Sequence, residues 1–276
     1  MFKNSKTIIN EFLSSNLDLV LTCFSKAQGS KKAISYRRLT SMFFRLKKKA
    51  FEIFCLVHLL STEPTLVIAQ FALRKNGGLK GSYQFHRLFE IRRFIKQNKL
   101  TTAIEFGSGA STVLFNKYMK NFVSIEESQE WAISYIRALE NSKLFPKSQL
   151  AELRTVILVV PRIEFLDAAG ELVCSYELPG EILNQRFELA YIDGPTSWIQ
   201  SNQLLDAKIR DHYKSIPNTS GLELSFMPRY LLIDGRRATV SYFIEKGNIQ
   251  SSSLVLKGSF HKSSLVRPYH TIICNK

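Results

Sequence analysis

The residues best suited to chemistry lie in one stretch, TTAIEFGSGASTVLFNKYMKNFVSIEES. An apolar segment ends in Glu105, and Gly107 and Gly109 follow it with one residue between them. Glycines at this place allow a sharp turn and a close approach of a ligand to the backbone. A helix that begins near Ser111 would point its free N–H groups at that ligand. Glu126 ends the next apolar segment, where a carboxylate reaches ribose hydroxyls. The stretch therefore predicts a nucleoside-cofactor site.

Two further acids follow strand-like segments. Asp193 comes directly after FELAYI, and Asp234 comes after RYLLI. A carboxylate at the carboxyl end of a central strand can orient a substrate and take a proton from it, so Asp193 is the predicted base. Two carboxylates on adjacent strands also offer the oxygen ligands that Mg²⁺ prefers. The alternative is that both acids only cap the helices that follow them.

The order of these features resembles class I S-adenosylmethionine-dependent methyltransferases. Glu105, Gly107 and Gly109 match the first motif of that family, and Glu126 matches the acid that holds the ribose hydroxyls. The stretches YIDGP and LLIDG resemble its fourth- and fifth-strand motifs. The resemblance spans about residues 81–276 and implies S-adenosylmethionine as the cofactor. The cofactor-binding residues that it implies are Glu105, Gly107, Ser108, Gly109, Ser111, Glu126 and Asp193. The catalytic residues that it implies are Asp193 and Asp234.

A nicotinamide-dependent oxidoreductase is the competing enzyme class. The dinucleotide fingerprint has a third glycine or alanine three residues after the second, where it allows helix–strand packing and pyrophosphate approach. This chain has Thr112 at that place, which favours S-adenosylmethionine over NAD. A non-catalytic binding protein that keeps the cofactor fold is the third alternative.

The resemblance also constrains the acceptor. Nothing in the sequence matches the Asn/Asp-Pro-Pro-aromatic motif of amino-methylating nucleic-acid enzymes, so O-methylation is predicted. Cation-dependent O-methyltransferases typically place Asn after the second acid, whereas Gly235, Arg236 and Arg237 follow Asp234 here, which weakens the case for a divalent cation. The two arginines suit a carboxylate or phosphate on a small polar acceptor or a glycan. Tyr176, in the long insert between the third and fourth strands, is a further predicted substrate contact.

Strand-like and helix-like segments alternate from residue 81 onward. Seven apolar segments have strand length, namely TTAIEF, FVSIE, TVILVV, FELAYID, RYLLID, SLVLK and HTIIC. Helix-length stretches separate most of the first five, which predicts crossover units and a parallel sheet. A short polar loop separates the last two. The expected fold class is α/β, a Rossmann-like, doubly wound, mostly parallel seven-stranded sheet ending in an antiparallel hairpin.

The basic charge of the chain lies almost wholly in its first hundred residues. Residues 1–100 hold 19 Lys and Arg against 5 Asp and Glu, whereas the other 176 residues hold 19 against 18. The stretch RKNGGLKGS has the composition of a boundary. We therefore expect two units: a basic, mainly helical N-terminal extension over residues 1–80 and a methyltransferase-like Rossmann domain over residues 81–276.

The extension also suggests a partner. Residues 31–60 alternate cationic clusters with apolar residues at helical spacing, and their aromatics include Phe43, Phe44, Phe51 and Phe54. A basic amphipathic helix favours peripheral attachment to an anionic membrane. Nucleic acid is less favoured because no recognised nucleic-acid-binding motif surrounds the cations. The alternative is that the aromatics pack against the catalytic domain.

The remaining features indicate a location. The start of the chain has no unbroken apolar h-region, and charged residues interrupt the apolar run over residues 50–73. The four cysteines are dispersed and show no metal-ligand spacing. We expect a cytoplasmic protein, peripheral at the membrane if the extension binds lipid.

Overall fold

The computed structural model describes residues 36–76, 85–195, 216–234, 236–246, 254–257 and 270–274. Its helices are α1 (Tyr36–Thr62), α2 (Pro64–Asn76), α3 (Phe85–Asn98), α4 (Ala110–Tyr118), α5 (Gln129–Asn141), α6 (Lys147–Val156), α7 (Gly180–Leu183) and α8 (Arg237–Lys246). Its strands are β1 (Thr102–Phe106), β2 (Asn121–Glu126), β3 (Ile157–Val159), β4 (Arg162–Leu166), β5 (Leu172–Tyr176), β6 (Leu189–Ile192), β7 (Tyr230–Asp234), β8 (Leu254–Lys257) and β9 (His270–Cys274).

Seven strands form the main sheet in the order β3-β2-β1-β6-β7-β9-β8. The first five are parallel, while β9 runs antiparallel to both β7 and β8. This confirms the predicted fold class, a mostly parallel Rossmann-like sheet that ends in an antiparallel pair. All seven predicted strands are present, although the third begins only at Ile157 because helix α6 continues through Val156.

The order of the strands reverses at the centre of the sheet. Strand β1 pairs with β2 on one side and with β6 on the other. In open α/β sheets ligands bind in the crevice at such a switch point, outside the carboxyl ends of the strands. Phe106 lies opposite Ile192 in the register of β1 and β6, so the residues that follow them emerge side by side at this crevice.

The central strands are buried on both faces. Ala103 packs into a core formed with helices α1 to α6, while Ile104 and Phe106 pack into a second core on the opposite face. Strand β6 is entirely buried, with Leu189 in the first core and Ala190 in the second. Parallel strands covered on both faces read as continuous apolar runs, which is why the sequence revealed these segments clearly.

The first two helices share their core with the sheet. Leu59 of α1 and Leu66 and Leu73 of α2 are fully buried in the same cluster as Phe85 and Leu114. The predicted domain boundary near residue 80 lies outside the described residues and stays a prediction. Within the described chain, however, the last turns of α1 and the buried face of α2 contribute to the core on one side of the sheet.

A buried carboxylate holds the junction of α1 and α2 against helices α3 and α4. Glu63 accepts a hydrogen bond from Arg92 Nε at 3.0 Å and from Lys117 and Tyr118. Burial opposes its ionisation, but the donors on Lys117 and Tyr118 outweigh burial and lower the pKa of Glu63. The ionised carboxylate thus connects the first helices to α3 and α4.

The aromatics predicted to face a membrane divide into two groups. The side chains of Phe43 and Phe44 lie outside the described set. Phe51 is half-buried against Phe89, with ring centroids 6.5 Å apart, whereas Phe54 is 56% exposed. Among the described helices none is long and apolar enough by itself to span a membrane; residues 49–62 and 64–75 meet the length and composition criteria only as a pair bent by 120°.

The insert between β3 and β6 contains a feature that sequence reasoning missed. Strands β4 and β5 form a separate antiparallel hairpin, which turns near Gly170, a residue with φ of +77°. The backbone of β5 then meets the segment after residue 216, where Cys174 N–H donates to the Pro217 carbonyl at 2.9 Å. The hairpin brings Tyr176 towards the carboxyl ends of β1 and β6.

Candidate functional site

A glycine loop, residues 107–109, follows β1 directly. Gly107 has φ of +95°, a conformation that residues with a Cβ rarely adopt. Its N–H donates to the Ile125 carbonyl at 2.7 Å. A Cβ on Gly107 would lie 2.6 Å from the backbone nitrogen of Gly194. Both the backbone conformation and the close approach of a second segment therefore require glycine here.

Glu105 lies beneath the glycine loop. Its fully buried carboxylate accepts hydrogen bonds from the hydroxyls of Ser111 at 2.5 Å, Thr112 at 2.7 Å and Ser124 at 2.8 Å. Burial raises the pKa of Glu105 to about 8, since the three hydroxyls only partly offset the loss of solvent. Glu105 thus braces the first turn of α4 against β2. Its predicted contact with a cofactor stays a prediction.

Thr112 lies at the position where the dinucleotide fingerprint has its third glycine. Its buried hydroxyl donates to Glu105 and accepts the N–H of Gly109 at 2.8 Å. The side chain therefore caps the start of α4 and holds the loop from within. In this chain a hydroxyl-braced turn occupies the place where a glycine would admit pyrophosphate.

Glu126 lies beside the loop, as its place at the end of β2 predicts. One carboxylate oxygen accepts the N–H and the hydroxyl of Ser108, at 3.0 and 2.7 Å. The other accepts the N–H groups of Glu127 at 2.9 Å and Ser128 at 3.1 Å. Trp131 adjoins the same loop, because its indole Nε1 donates to the Ser108 carbonyl at 3.1 Å. The predicted residues Gly107, Ser108, Gly109, Ser111 and Glu126 are thus brought together.

A second element, the Asp193 turn at residues 193–195, packs against the glycine loop. The N–H groups of Asp193 and Gly194 both donate to the Phe106 carbonyl, that of Asp193 at 2.9 Å. The amide of Asn218 donates to the Gly194 carbonyl, and the bond from Gly194 to Pro195 is cis. The turn therefore continues the pairing of β6 with β1 beyond the end of the sheet.

Asp234, at the end of β7, pairs with a cation of α3. Arg87 forms a close ion pair with its Oδ2, and the Tyr191 hydroxyl donates to the same oxygen at 3.4 Å. The amphipathic pattern of α3 predicts that its cations lie on the solvent face. The side chain of Arg87 is instead only 18% exposed, because the buried carboxylate of Asp234 requires a nearby positive charge.

The Asp193 carboxylate lies near these charged groups. Its side chain keeps 48% of its surface accessible, although protein atoms surround it densely. That surrounding and the Asp234 carboxylate raise the pKa of Asp193, while Arg236 and Arg87 oppose the rise. Because the side chain is about half accessible, solvent moderates the shift. Asp193 is thus the more accessible acid of the predicted pair.

The structure describes the side chain of only one of the two arginines that are predicted to bind the acceptor. Arg236 donates to the Pro195 carbonyl at 2.6 Å and to the Asp193 carbonyl, and its Nη2 lies 4.0 Å from the Asp193 carboxylate. It therefore braces the Asp193 turn. The side chain of Arg237 and the whole of Gly235 lie outside the described set, so the predicted role of Arg237 stays a prediction.

Tyr176 reaches the site from the hairpin. Its ring stacks on Phe106 with centroids 5.9 Å apart, and a Cβ on Gly194 would lie 2.5 Å from its hydroxyl. The residue is 2% exposed, and its hydroxyl has no hydrogen-bond partner within the described chain. Burial, followed by the charges of Glu126 and Glu127, raises the pKa of Tyr176 well above its ordinary value. The predicted substrate residue therefore presents a neutral buried hydroxyl beside the Asp193 turn.

The described side chains contain no group of three or more His, Cys, Asp or Glu residues arranged to hold a metal ion. The positive charge beside Asp234 is the guanidinium of Arg87. Nothing in the sequence singles out Arg87, because it is one of several cations on the same helix. Nothing singles out Asn218 either, because it lies in an irregular segment.

Comparison with known proteins finds only remote likenesses, among solved methyltransferase structures. No protein-family model matches the sequence, and no curated protein matches it. The solved structures that it resembles include the O-methyltransferase TomG from Streptomyces achromogenes, which is involved in tomaymycin synthesis and is in complex with SAM. The two chains are 12% identical, and the match covers 80% of this chain and 95% of that one with a TM-score of 0.40. The O-methyltransferase from Bacillus cereus, in complex with SAH, is 13% identical over 79% of this chain and 96% of that one, with a TM-score of 0.39. The tRNA (m1A58) methyltransferase TrmI from Aquifex aeolicus is 14% identical over 68% of each chain, with a TM-score of 0.35. Likenesses this remote do not establish a reaction for this chain.

Proposed function

We propose that this chain is an S-adenosylmethionine-dependent methyltransferase that methylates a hydroxyl of a small-molecule acceptor. One observation carries the proposal: the glycine loop and the Asp193 turn pack on each other at the switch point of the sheet, with Glu126 beside them. A nucleoside cofactor without pyrophosphate suits a loop in which Thr112 replaces the third glycine.

The residues of the loop fit such a cofactor. A Cβ on Gly109 would meet only Ser111 Oγ, at 3.7 Å, so the outer side of the loop has room for a ligand. The four donors on Glu126 match the about four lone-pair sites of a carboxylate. A ribose hydroxyl would therefore replace one donor, and the Ser108 hydroxyl is free to rotate away, whereas the backbone N–H groups are fixed.

Asp193 is the residue that would handle the proton. When bound, the cofactor supplies an electrophilic methyl group on a sulfonium; transfer to a hydroxyl leaves S-adenosylhomocysteine and releases the hydroxyl proton. The accessible Asp193 carboxylate, with its raised pKa, is suited to accept that proton near neutral pH. Asp234, at the end of the neighbouring strand, is buried and its charge is balanced by Arg87.

Ligand binding tests the proposal directly. S-adenosylhomocysteine should raise the melting temperature of the full-length chain, because a ligand that binds only the folded state stabilises it by mass action. NAD at the same concentration serves as the competing ligand. A rise in melting temperature with NAD and none with S-adenosylhomocysteine would contradict the methyltransferase and support an oxidoreductase. A rise with neither ligand would favour a non-catalytic protein.

We further propose that the protein is cytoplasmic and attaches peripherally to anionic membranes through its N-terminal region. The excess of 14 positive charges in residues 1–100 and the exposed Phe54 and Val57 of α1 support this. Co-sedimentation with phosphatidylserine vesicles should fall with salt and with the double substitution of Phe54→Glu and Val57→Glu. Ile133→Glu, at a similarly exposed apolar residue of α5, is the matched control. Equal sedimentation of both variants would exclude this surface, and binding to RNA in place of vesicles would favour nucleic acid.

A further inference from the structure

A cavity of about 410 Å³ lies between the β4–β5 hairpin, the segment after residue 216 and α8. Its apolar wall includes Ile163, Phe165, Leu178, Leu183 and Leu222. This volume falls within the range of small-molecule sites, which are mostly apolar with a few placed polar groups. The cavity is therefore large enough for a compound with one aromatic ring and a short side chain.

The cavity adjoins the proposed methyl-transfer site through shared residues. Tyr176 lines the cavity, and its hydroxyl lies against Gly194 of the Asp193 turn. Thr219 also lines the cavity, and its N–H donates to the Cys174 carbonyl at 2.8 Å. The preceding residue, Asn218, donates to the Gly194 carbonyl. The same short segments thus form the wall of the cavity and support the turn that carries Asp193.

The charged groups of the cavity are both carboxyls, and its other polar side chains are the hydroxyls of Ser175, Tyr176, Thr219 and Tyr242. Glu177 and Glu223 line it, and the described lining residues include no Lys or Arg. Glu223 accepts a hydrogen bond from the Ser175 hydroxyl. Tyr242, on the α8 side, donates to Asp167 at 3.0 Å, which fixes its ring in the wall. Such a lining attracts a hydrogen-bond donor or a cation and repels an anion.

We infer that this cavity is the acceptor pocket and that it binds an aromatic molecule whose ammonium or other donor group meets Glu223, rather than an anionic acceptor or a glycan. The inference rests on the proposed function, since it names the class of acceptor for the same site. The apolar wall selects the ring and Glu223 selects the donor, while Tyr176, whose hydroxyl lies against Gly194, joins the cavity wall to the Asp193 turn. Burial raises the pKa of the Glu223 carboxyl, which a cationic ligand would counteract.

Calorimetric titration of the full-length chain with three probes tests this. The first probe is tyramine, a phenol that carries an ammonium on an ethyl side chain. The second is 3-(4-hydroxyphenyl)propionate, which has a carboxylate in place of the ammonium, and the third is glucuronate, which represents an anionic sugar. Tyramine should bind at least about tenfold more tightly than either, the scale of one charge-assisted hydrogen bond. Glu223→Gln should remove most of this preference, while Glu181→Gln, an exposed acid outside the cavity, should keep it.

Parallel titration with S-adenosylhomocysteine separates the two proposals. Suppose that S-adenosylhomocysteine binds but that 3-(4-hydroxyphenyl)propionate or glucuronate binds with the same affinity as tyramine. The proposed acceptor class is then wrong, and the proposed methyltransferase activity stands. If tyramine binds through Glu223 but S-adenosylhomocysteine does not, the cavity is a ligand site and the methyltransferase is wrong. Tyramine binding that Glu223→Gln leaves unchanged places the ligand elsewhere and overturns the inference.

Discussion

The glycine loop and the Asp193 turn are held by opposite means, although they touch. Beneath the loop, buried Glu105 is surrounded by three neutral hydroxyls. Beside the turn, buried Asp234 has the guanidinium of Arg87, and Arg236 binds the carbonyls of the turn itself. One side of the site therefore depends on hydrogen bonds from hydroxyl and backbone N–H groups to carboxyls, and the other depends on guanidinium groups.

This difference suits the two tasks proposed for the site. A loop that holds a cofactor needs a fixed shape, and hydroxyls around a carboxylate with a raised pKa supply that without a nearby counter-charge. A turn that accepts a proton must keep its acid partly ionised at neutral pH, and two arginines limit the effect of the neighbouring carboxylate. The loop should therefore respond most to shape and the turn most to charge.

The largest expected effect is on the shape of the loop. Gly107→Ala should lower the free energy of unfolding by about 4 kcal/mol, because backbone strain and a contact with Gly194 add together. Gly109→Ala is the matched control, since its Cβ would have ordinary space. Denaturant unfolding measures both. Equal losses for the two variants would show that the contact between loop and turn does not matter.

Removing the charge beside the turn should have the next largest effect. Arg87→Gln leaves the buried carboxylate of Asp234 without its ion pair, which should cost about 3 kcal/mol in unfolding experiments. Arg154→Gln, which breaks an exposed ion pair with Glu140, should cost less than about 1 kcal/mol. Adding Asp234→Asn to Arg87→Gln should recover part of the loss; no recovery would mean that Arg87 acts through packing alone.

The proposed proton acceptor gives a smaller effect, on rate rather than stability. Asp193→Asn should lower the rate of S-adenosylhomocysteine formation roughly 100-fold. The affinity of the variant for S-adenosylhomocysteine should stay unchanged. Because only the ionised carboxylate accepts a proton, the wild-type rate should rise with pH through the raised pKa of Asp193, and the variant should lose this rise. A variant with unchanged turnover would reduce Asp193 to a structural residue.

A gradual, pH-dependent effect, smallest when taken over a single pH unit, concerns the hydroxyl-braced carboxyl under the loop. Glu105 keeps its proton to about pH 8 in the folded chain but has a reference pKa of 4.5. Its contribution to stability is therefore complete below pH 4.5 and is lost as pH rises towards 8, by up to about 1.4 kcal/mol per pH unit. Glu105→Gln should flatten this slope, and Glu130→Gln, on the exposed surface of α5, should preserve it. A slope that Glu105→Gln does not change would contradict the raised pKa.

The sequence predicted the parts of the site that depend on order along the chain. Apolar runs located the strands, and the spacing of Glu105, Gly107 and Glu126 located the loop, because one crossover unit fixes where these residues meet. It did not predict Arg87, since several cations share α3 and only the fold selects the one that reaches Asp234. Strand β4, with Phe165 and Leu166 exposed, lacks the buried run that marks a strand of the main sheet.

The contact between Gly107 and Gly194 has a consequence for how such chains diverge. Each glycine leaves the space that the other's backbone occupies, so a side chain at either position would meet the backbone of its partner. Substituting both would worsen the collision, and no compensating change at the other position is available. Although they lie 87 positions apart in the chain, the two glycines should be inherited as a single character wherever this pairing of β1 and β6 persists.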